Sequence, residues 1–247
     1  MTPPRFRPAL LPALANVALL AAATLTRRPV AWLFPRLRRQ APVEASGLDA
    51  LTPGAPFVLA LNHLRDGASG AVVIAALDAI ARIDAAAIGR VFMVGGRRTP
   101  ARSTWLTRRG AAFARWFVGR WRAHLTVIAM EGARTDWGAL RAWREVAGER
   151  VSVVFPEGIA GDVLGAMRPG VGRWLAALPV ATVPCAVWFD GGRWQVRFGA
   201  PLAWSPRPSV RDAQLGLALA ALLPEPLQGD WRDDLARWRD VRGRERA

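Results

Sequence analysis

Lysine and tyrosine are absent from this chain, cysteine occurs once and histidine twice. A single thiol, Cys185, cannot close an intrachain disulfide and fits a reducing compartment. Its place in an apolar run points to buried packing rather than a catalytic thiol. Two histidines and one cysteine are too few soft ligands for a zinc site, so no metal is expected. A glycine-rich phosphate loop of the P-loop type and any internal repeat are also missing. Without lysine, all 34 basic residues are arginine, and against 19 acidic residues they leave a net charge of +15. Guanidinium forks suit phosphate bidentately, whether on lipid headgroups, coenzyme A or nucleic acid. Twelve tryptophans beside so much arginine suit a membrane interface, and equally a stacking platform for single-stranded nucleic acid. Composition leaves those two partners open.

The amino terminus separates them. Ala9 to Leu25 is apolar except for Pro12, Asn16 and Thr24, close to the lower limit of about 17 residues for crossing a bilayer. Arg5 and Arg7 precede it, and Arg27, Arg28, Arg36, Arg38 and Arg39 follow. Trp32 to Arg39 continues as a basic, aromatic stretch suited to anionic headgroups. Residues 1–40 are therefore expected to form a membrane-associated helical anchor, spanning or interfacial. A cleaved signal peptide or a plain buried helix are the other readings. Nucleic acid is not expected as a partner.

Residues 41–247 read as one α/β domain, long enough to bury a sizeable core. Pro42 to Pro56 reads as a connector broken by Gly47, Pro53 and Gly54. Phe57 to Leu61 and Arg150 to Val154 are short buried strands. Val91 to Val94 is a strand ended by Gly95-Gly96, and Leu125 to Met130 is another. Helices are expected over Ala71 to Ile83, Ser103 to Arg122, Trp137 to Val146, and near Gly172 to Leu178. Strands at Val180 to Phe189 and Trp194 to Phe198 flank Gly191-Gly192, which marks an antiparallel edge hairpin. Ser209 to Leu223 and Trp231 to Arg239 read as terminal helices. This alternation predicts a mostly parallel sheet with helices on both faces.

Polar chemistry stands at two strand ends. Phe57 to Leu61 empties into Asn62-His63, and the 150–154 strand empties into Phe155-Pro156-Glu157-Gly158. Open α/β sheets form their ligand crevice at such carboxyl ends. Arg168-Pro169-Gly170-Val171-Gly172-Arg173 and the strand Thr182 to Val187 follow. These four elements, in this order and spacing over residues 55–202, resemble the glycerolipid acyltransferase family, which includes the lysophosphatidate acyltransferases. The chain departs from the family at three places. Ala68 stands where an Asp is usual, with Asp66 three residues after His63. Ile159-Ala160 replaces the Thr-Arg pair that often follows Pro-Glu-Gly. Glu131 stands where a strand usually ends in Arg, with Arg134 three residues on.

Acyl transfer to an alcohol needs a base, two substrates held together and a stabilised oxyanion. His63 is the natural base because imidazole titrates near neutrality; its other role is a helix cap or loop hydrogen bond. Asp66 either holds the imidazole tautomer or caps the following helix. The resemblance implies that Glu157 and Gly158 belong to a loop binding the acceptor's glycerol phosphate, with Arg134 and Arg168 as candidate phosphate ligands. Gly67-Ala68-Ser69-Gly70-Ala71 loosely resembles a hydrolase nucleophile elbow, but Ser69 lies too far past the strand, which favours a helix cap. The resemblance thus implies transfer of a fatty acyl group from acyl-coenzyme A or acyl-carrier protein, as co-substrate, to a lysophospholipid or related glycerol phosphate. No resident cofactor is expected. The alternative is a catalytically inactive relative that binds anionic lipid. The implied location is the cell membrane, with the catalytic domain on its cytoplasmic side.

Overall fold

The structure, a computed structural model, describes residues 10–26, 28, 30–37, 41–63, 68–97, 125–131, 134–135 and 137–244. The expected helix over Ser103 to Arg122 lies outside the described residues, as do Asp66 and His124.

The described strands are β1 (Val43–Ser46), β2 (Phe57–Leu61), β3 (Val91–Arg97), β4 (Leu125–Glu131), β5 (Arg134–Thr135), β6 (Val151–Val154), β7 (Ala181–Asp190) and β8 (Arg193–Phe198). They lie in the order β1-β8-β7-β2-β6-β3-β4-β5. The block from β7 through β4 is parallel, while β7–β8 and β4–β5 are antiparallel. The described helices are α1 (Leu10–Leu25), α2 (Val30–Leu33), α3 (Ala68–Ala81), α4 (Trp137–Ala147), α5 (Val171–Leu175), α6 (Arg211–Leu222) and α7 (Trp231–Arg244).

Every residue of β2 is buried, as expected for a parallel strand covered on both faces. Alternation divides its side chains. Phe57, Leu59 and Leu61 join Val72, Ala76 and Ile80 of α3 in one core. Val58 and Ala60 join Leu140 and Trp143 of α4, Leu215 and Leu219 of α6, and Leu235 of α7 in the other. Helices therefore cover both faces. The Trp143 indole N–H donates to the Ser152 hydroxyl at 2.9 Å, fastening α4 to β6.

Two sequence expectations are corrected. The stretch from Pro42 to Pro56 is not all connector: β1 pairs in parallel with β8, Val43 opposite Trp194. The β7–β8 hairpin therefore lies one strand inside the sheet edge. The second correction concerns β3, which runs through Gly95 and Gly96 to Arg97 because their backbones pair with Val127 and Ile128 of β4. The apolar run at the amino terminus is helical, as expected. Among the described residues helix α1 runs for 16, about 24 Å at 1.5 Å per residue, against a hydrocarbon core of about 30 Å. No helix among the described residues is long and apolar enough to cross a membrane. Ala23 of α1 and Leu33 of α2 are buried together among Leu19, Leu20, Trp32 and Leu37. Phe34, in the turn after α2, packs against the core on the α3 side.

Candidate functional site

Strands β2 and β6 are ladder neighbours, with Ala60 opposite Val154. Their carboxyl ends therefore deliver Asn62-His63 and Phe155-Pro156-Glu157 side by side. Backbone pairing of β2 with β7 ends at Leu61 and Cys185, and the Asn62 side chain continues it. The Val187 N–H donates to Asn62 Oδ1 at 2.7 Å, and Asn62 Nδ2 donates to the Val187 carbonyl at 3.0 Å. Asn62 is 3% exposed, so both polar ends of a buried amide are matched.

His63 is held by its main chain. Its N–H donates to Glu157 Oε1 at 2.6 Å, and its carbonyl accepts the Gly161 N–H at 2.9 Å. The imidazole stacks on the Phe155 ring, with centroids 4.4 Å apart and planes 22° apart. Burial holds the imidazole below its usual range, because desolvation penalises the cation. Its Nδ1 is buried and has no hydrogen-bond partner among the described residues.

Glu157 is 5% exposed. Its second oxygen, Oε2, accepts the Gly165 N–H at 2.6 Å. Desolvation raises its carboxyl to about 7 and outweighs the opposing pull of the two amide bonds. The carboxylate thus ties two main-chain segments, the end of β2 and the loop after β6. Gly158, at φ +68°, turns the chain, and its N–H returns to the Phe155 carbonyl at 3.1 Å. The loop is also fixed from the carboxyl-terminal helices. The Leu164 N–H reaches the Leu227 carbonyl at 2.9 Å, and the Trp231 indole donates to the Gly165 carbonyl at 2.8 Å.

Arg168 stands beside this corner, its N–H donating to the Pro156 carbonyl at 2.9 Å. The turn that follows is tied to α6. Gly170 is the N-cap of α5 at φ +85° and has no side chain to offer the helix's free N–H groups. Asp212, in the first turn of α6, supplies that cap from outside. Its Oδ2 accepts from Gly170 at 2.7 Å and its Oδ1 from Gly172 at 2.6 Å. A Cβ on Gly172 would sit 2.5 Å from the Arg211 carbonyl, so only glycine lets the two helix starts approach this closely.

His63, Glu157, Gly158 and Arg168 are therefore brought together. Arg134 lies on β5, with β3 and β4 between it and β6. Asp66 is outside the described residues. Ser69 lies within α3, which begins at Ala68, so it is neither on a strand-to-helix turn nor the residue before the helix. Sequence reasoning missed the anchoring roles of the Asn62 amide and Asp212. Asp212 sits as an acid in a helix's first turn, and nothing local marks Gly170 and Gly172 as its partners.

No protein-family model matches the chain, and no curated protein matches it by sequence. Among solved structures, the chain is similar to a crystal structure of the 1-acyl-sn-glycerophosphate (LPA) acyltransferase PlsC from Thermotoga maritima. The TM-score is 0.55 at 12% sequence identity, covering 90% of this chain and 97% of that one. At that identity the likeness is one of fold.

Proposed function

We propose that the protein is an acyltransferase, moving a fatty acyl group from an acyl thioester to the hydroxyl of a lysophospholipid or related glycerol phosphate. The observation that carries this is His63: a half-buried imidazole at a strand's carboxyl end, its main chain clamped at both polar atoms, its depressed basicity favouring the neutral form. A neutral imidazole with Nδ1 protonated leaves Nε2 to accept the acceptor hydroxyl's proton. The hydroxyl oxygen attacks the thioester carbonyl, the C–S bond breaks, and the imidazolium returns the proton to the departing thiolate. The products are an ester and a free thiol. Acyl-coenzyme A or acyl-carrier protein supplies the thioester as co-substrate.

Asp66, three residues along, is the proposed acceptor for Nδ1–H, and it would stabilise the imidazolium. Glu157 is the positioning residue that holds the His63 main chain, Gly158 shapes the acceptor loop, and Arg168 and Arg134 are the proposed phosphate ligands. Position favours Arg168, which adjoins the Glu157 corner. Membrane lipids are the proposed partners, with residues 1–40 resting at the cytoplasmic face of the membrane. In support, the Trp32 ring lies 4.3 Å from the Arg36 guanidinium and 5.5 Å from that of Arg28, a basic aromatic cluster of the kind that sits among headgroups.

The test is thiol release from acyl-coenzyme A with a panel of lysolipids. His63→Ala should lower turnover by about 10²–10⁴-fold while flotation with anionic vesicles persists. Asp66→Asn should lower turnover with little loss of stability. Full turnover in His63→Ala overturns the proposal. Vesicle binding by the wild type without thiol release favours the inactive lipid-binding alternative.

A further inference from the structure

The cluster around Asp212 has no part in the proton transfer, yet it fixes the turn that carries Arg168. We infer that Asp212 is the positioning residue for the acceptor's phosphate, acting through the Arg168–Gly172 turn. This rests on the acyltransferase reading only for the identity of the acceptor.

The turn is anchored on both sides of Arg168. Upstream, Gly165 is bonded to Glu157 and Arg168 itself to Pro156. Downstream, Gly170 and Gly172 are bonded to Asp212. The Arg168 carbonyl accepts the Val171 N–H at 3.0 Å, closing the turn on itself. Gly170, in the left-handed region, is conformationally the most permissive residue type. Without an outside partner, that position is the place where the turn can change direction. Asp212 removes this freedom with both carboxylate oxygens, and it comes from an element 40 residues further along the chain. A long guanidinium stem amplifies any change at its Cα, so a loosened turn weakens a charge-assisted phosphate contact without touching the base.

Asp212→Asn keeps the side chain's shape but leaves one oxygen for two N–H groups. The expected result is a rise of about tenfold in KM for lysophosphatidate at unchanged kcat, on the scale of coupling between neighbouring residues. KM for a 1-acylglycerol, which has no phosphate, should not move, and thermal unfolding of each variant separates the effect from loss of folded protein. Arg168→Ala should raise the same KM, and adding Asp212→Asn to it should change nothing further. A full additive effect of the two, a fall in kcat alone, or an equal rise for both acceptors overturns the inference. If the wild type releases no thiol with any acceptor, the acyl-transfer reading fails by itself. Calorimetric binding of glycerol 3-phosphate then decides: binding by the wild type that weakens in Asp212→Asn sustains the anchor, and equal or absent binding overturns it.

Discussion

Glu157 and Asp212 each give both carboxylate oxygens to two main-chain N–H groups, at 2.6–2.7 Å in all four bonds. Their surroundings differ. Glu157 is 5% exposed and lies between the end of β2 and the loop after β6. Asp212 is half-buried at the first turn of α6, where it also complements the helix dipole. At Glu157 the hydrogen-bond pattern carries a desolvation cost. Burial, not the count of bonds, decides how strongly each clamp responds to truncation.

Truncation gives the largest separation. Glu157→Ala strands two interior N–H groups, each costing about 1–3 kcal/mol, so denaturant unfolding should show a loss of about 2–6 kcal/mol. A loss below about 1 kcal/mol would mean that solvent reaches the corner and the comparison fails. A pH series sharpens the contrast next. The Glu157 carboxyl is raised from an ordinary 4.5 to about 7, so the fold favours its protonated form. Its contribution is fully present below about pH 4.5 and fades as pH climbs through about 7, a span corresponding to about 3 kcal/mol. His63, pushed down by burial, acts in the opposite direction and costs stability as pH falls. The difference between wild type and Glu157→Gln isolates the Glu157 part: it should shift across this window, and a flat difference would refute the burial argument. The smallest effect belongs to Asp212→Ala, which removes a half-buried helix cap and should cost about 0.5–2 kcal/mol in the same unfolding measurement. A loss equal to that of Glu157→Ala would erase the distinction.

Strands β2, β6 and β7 were legible in the sequence because each is a β-branched or apolar run with proline or glycine at one or both ends. Strand β1 was not. Val43–Ser46 is four residues long, alternates between half-buried and exposed, and sits among breakers; only the open edge of β8 makes it a strand. Gly95 and Gly96 read as a stop for the same local reason, and their pairing with β4 overrides it. The hydrophobic run at the amino terminus was legible as a helix, and Leu10–Leu25 is one. His63 and Glu157 were legible as strand-end polar residues, and their meeting followed from two parallel strands being neighbours.

Composition and periodicity determined by themselves the interior strands β2, β6 and β7 and which polar residues stand at their ends. Those properties are local, since side-chain alternation and glycine or proline breaks act over a few residues. Only the tertiary structure decided that Glu157 holds His63 across 94 residues, that Asn62 replaces a strand partner for Val187 across 125, and that Asp212 caps Gly172 across 40. A main-chain N–H carries no address in the sequence: any acceptor satisfies it, and packing chooses which one arrives. The elevated Glu157 carboxyl has the same origin, because desolvation belongs to the neighbours that close around a group and not to the group itself.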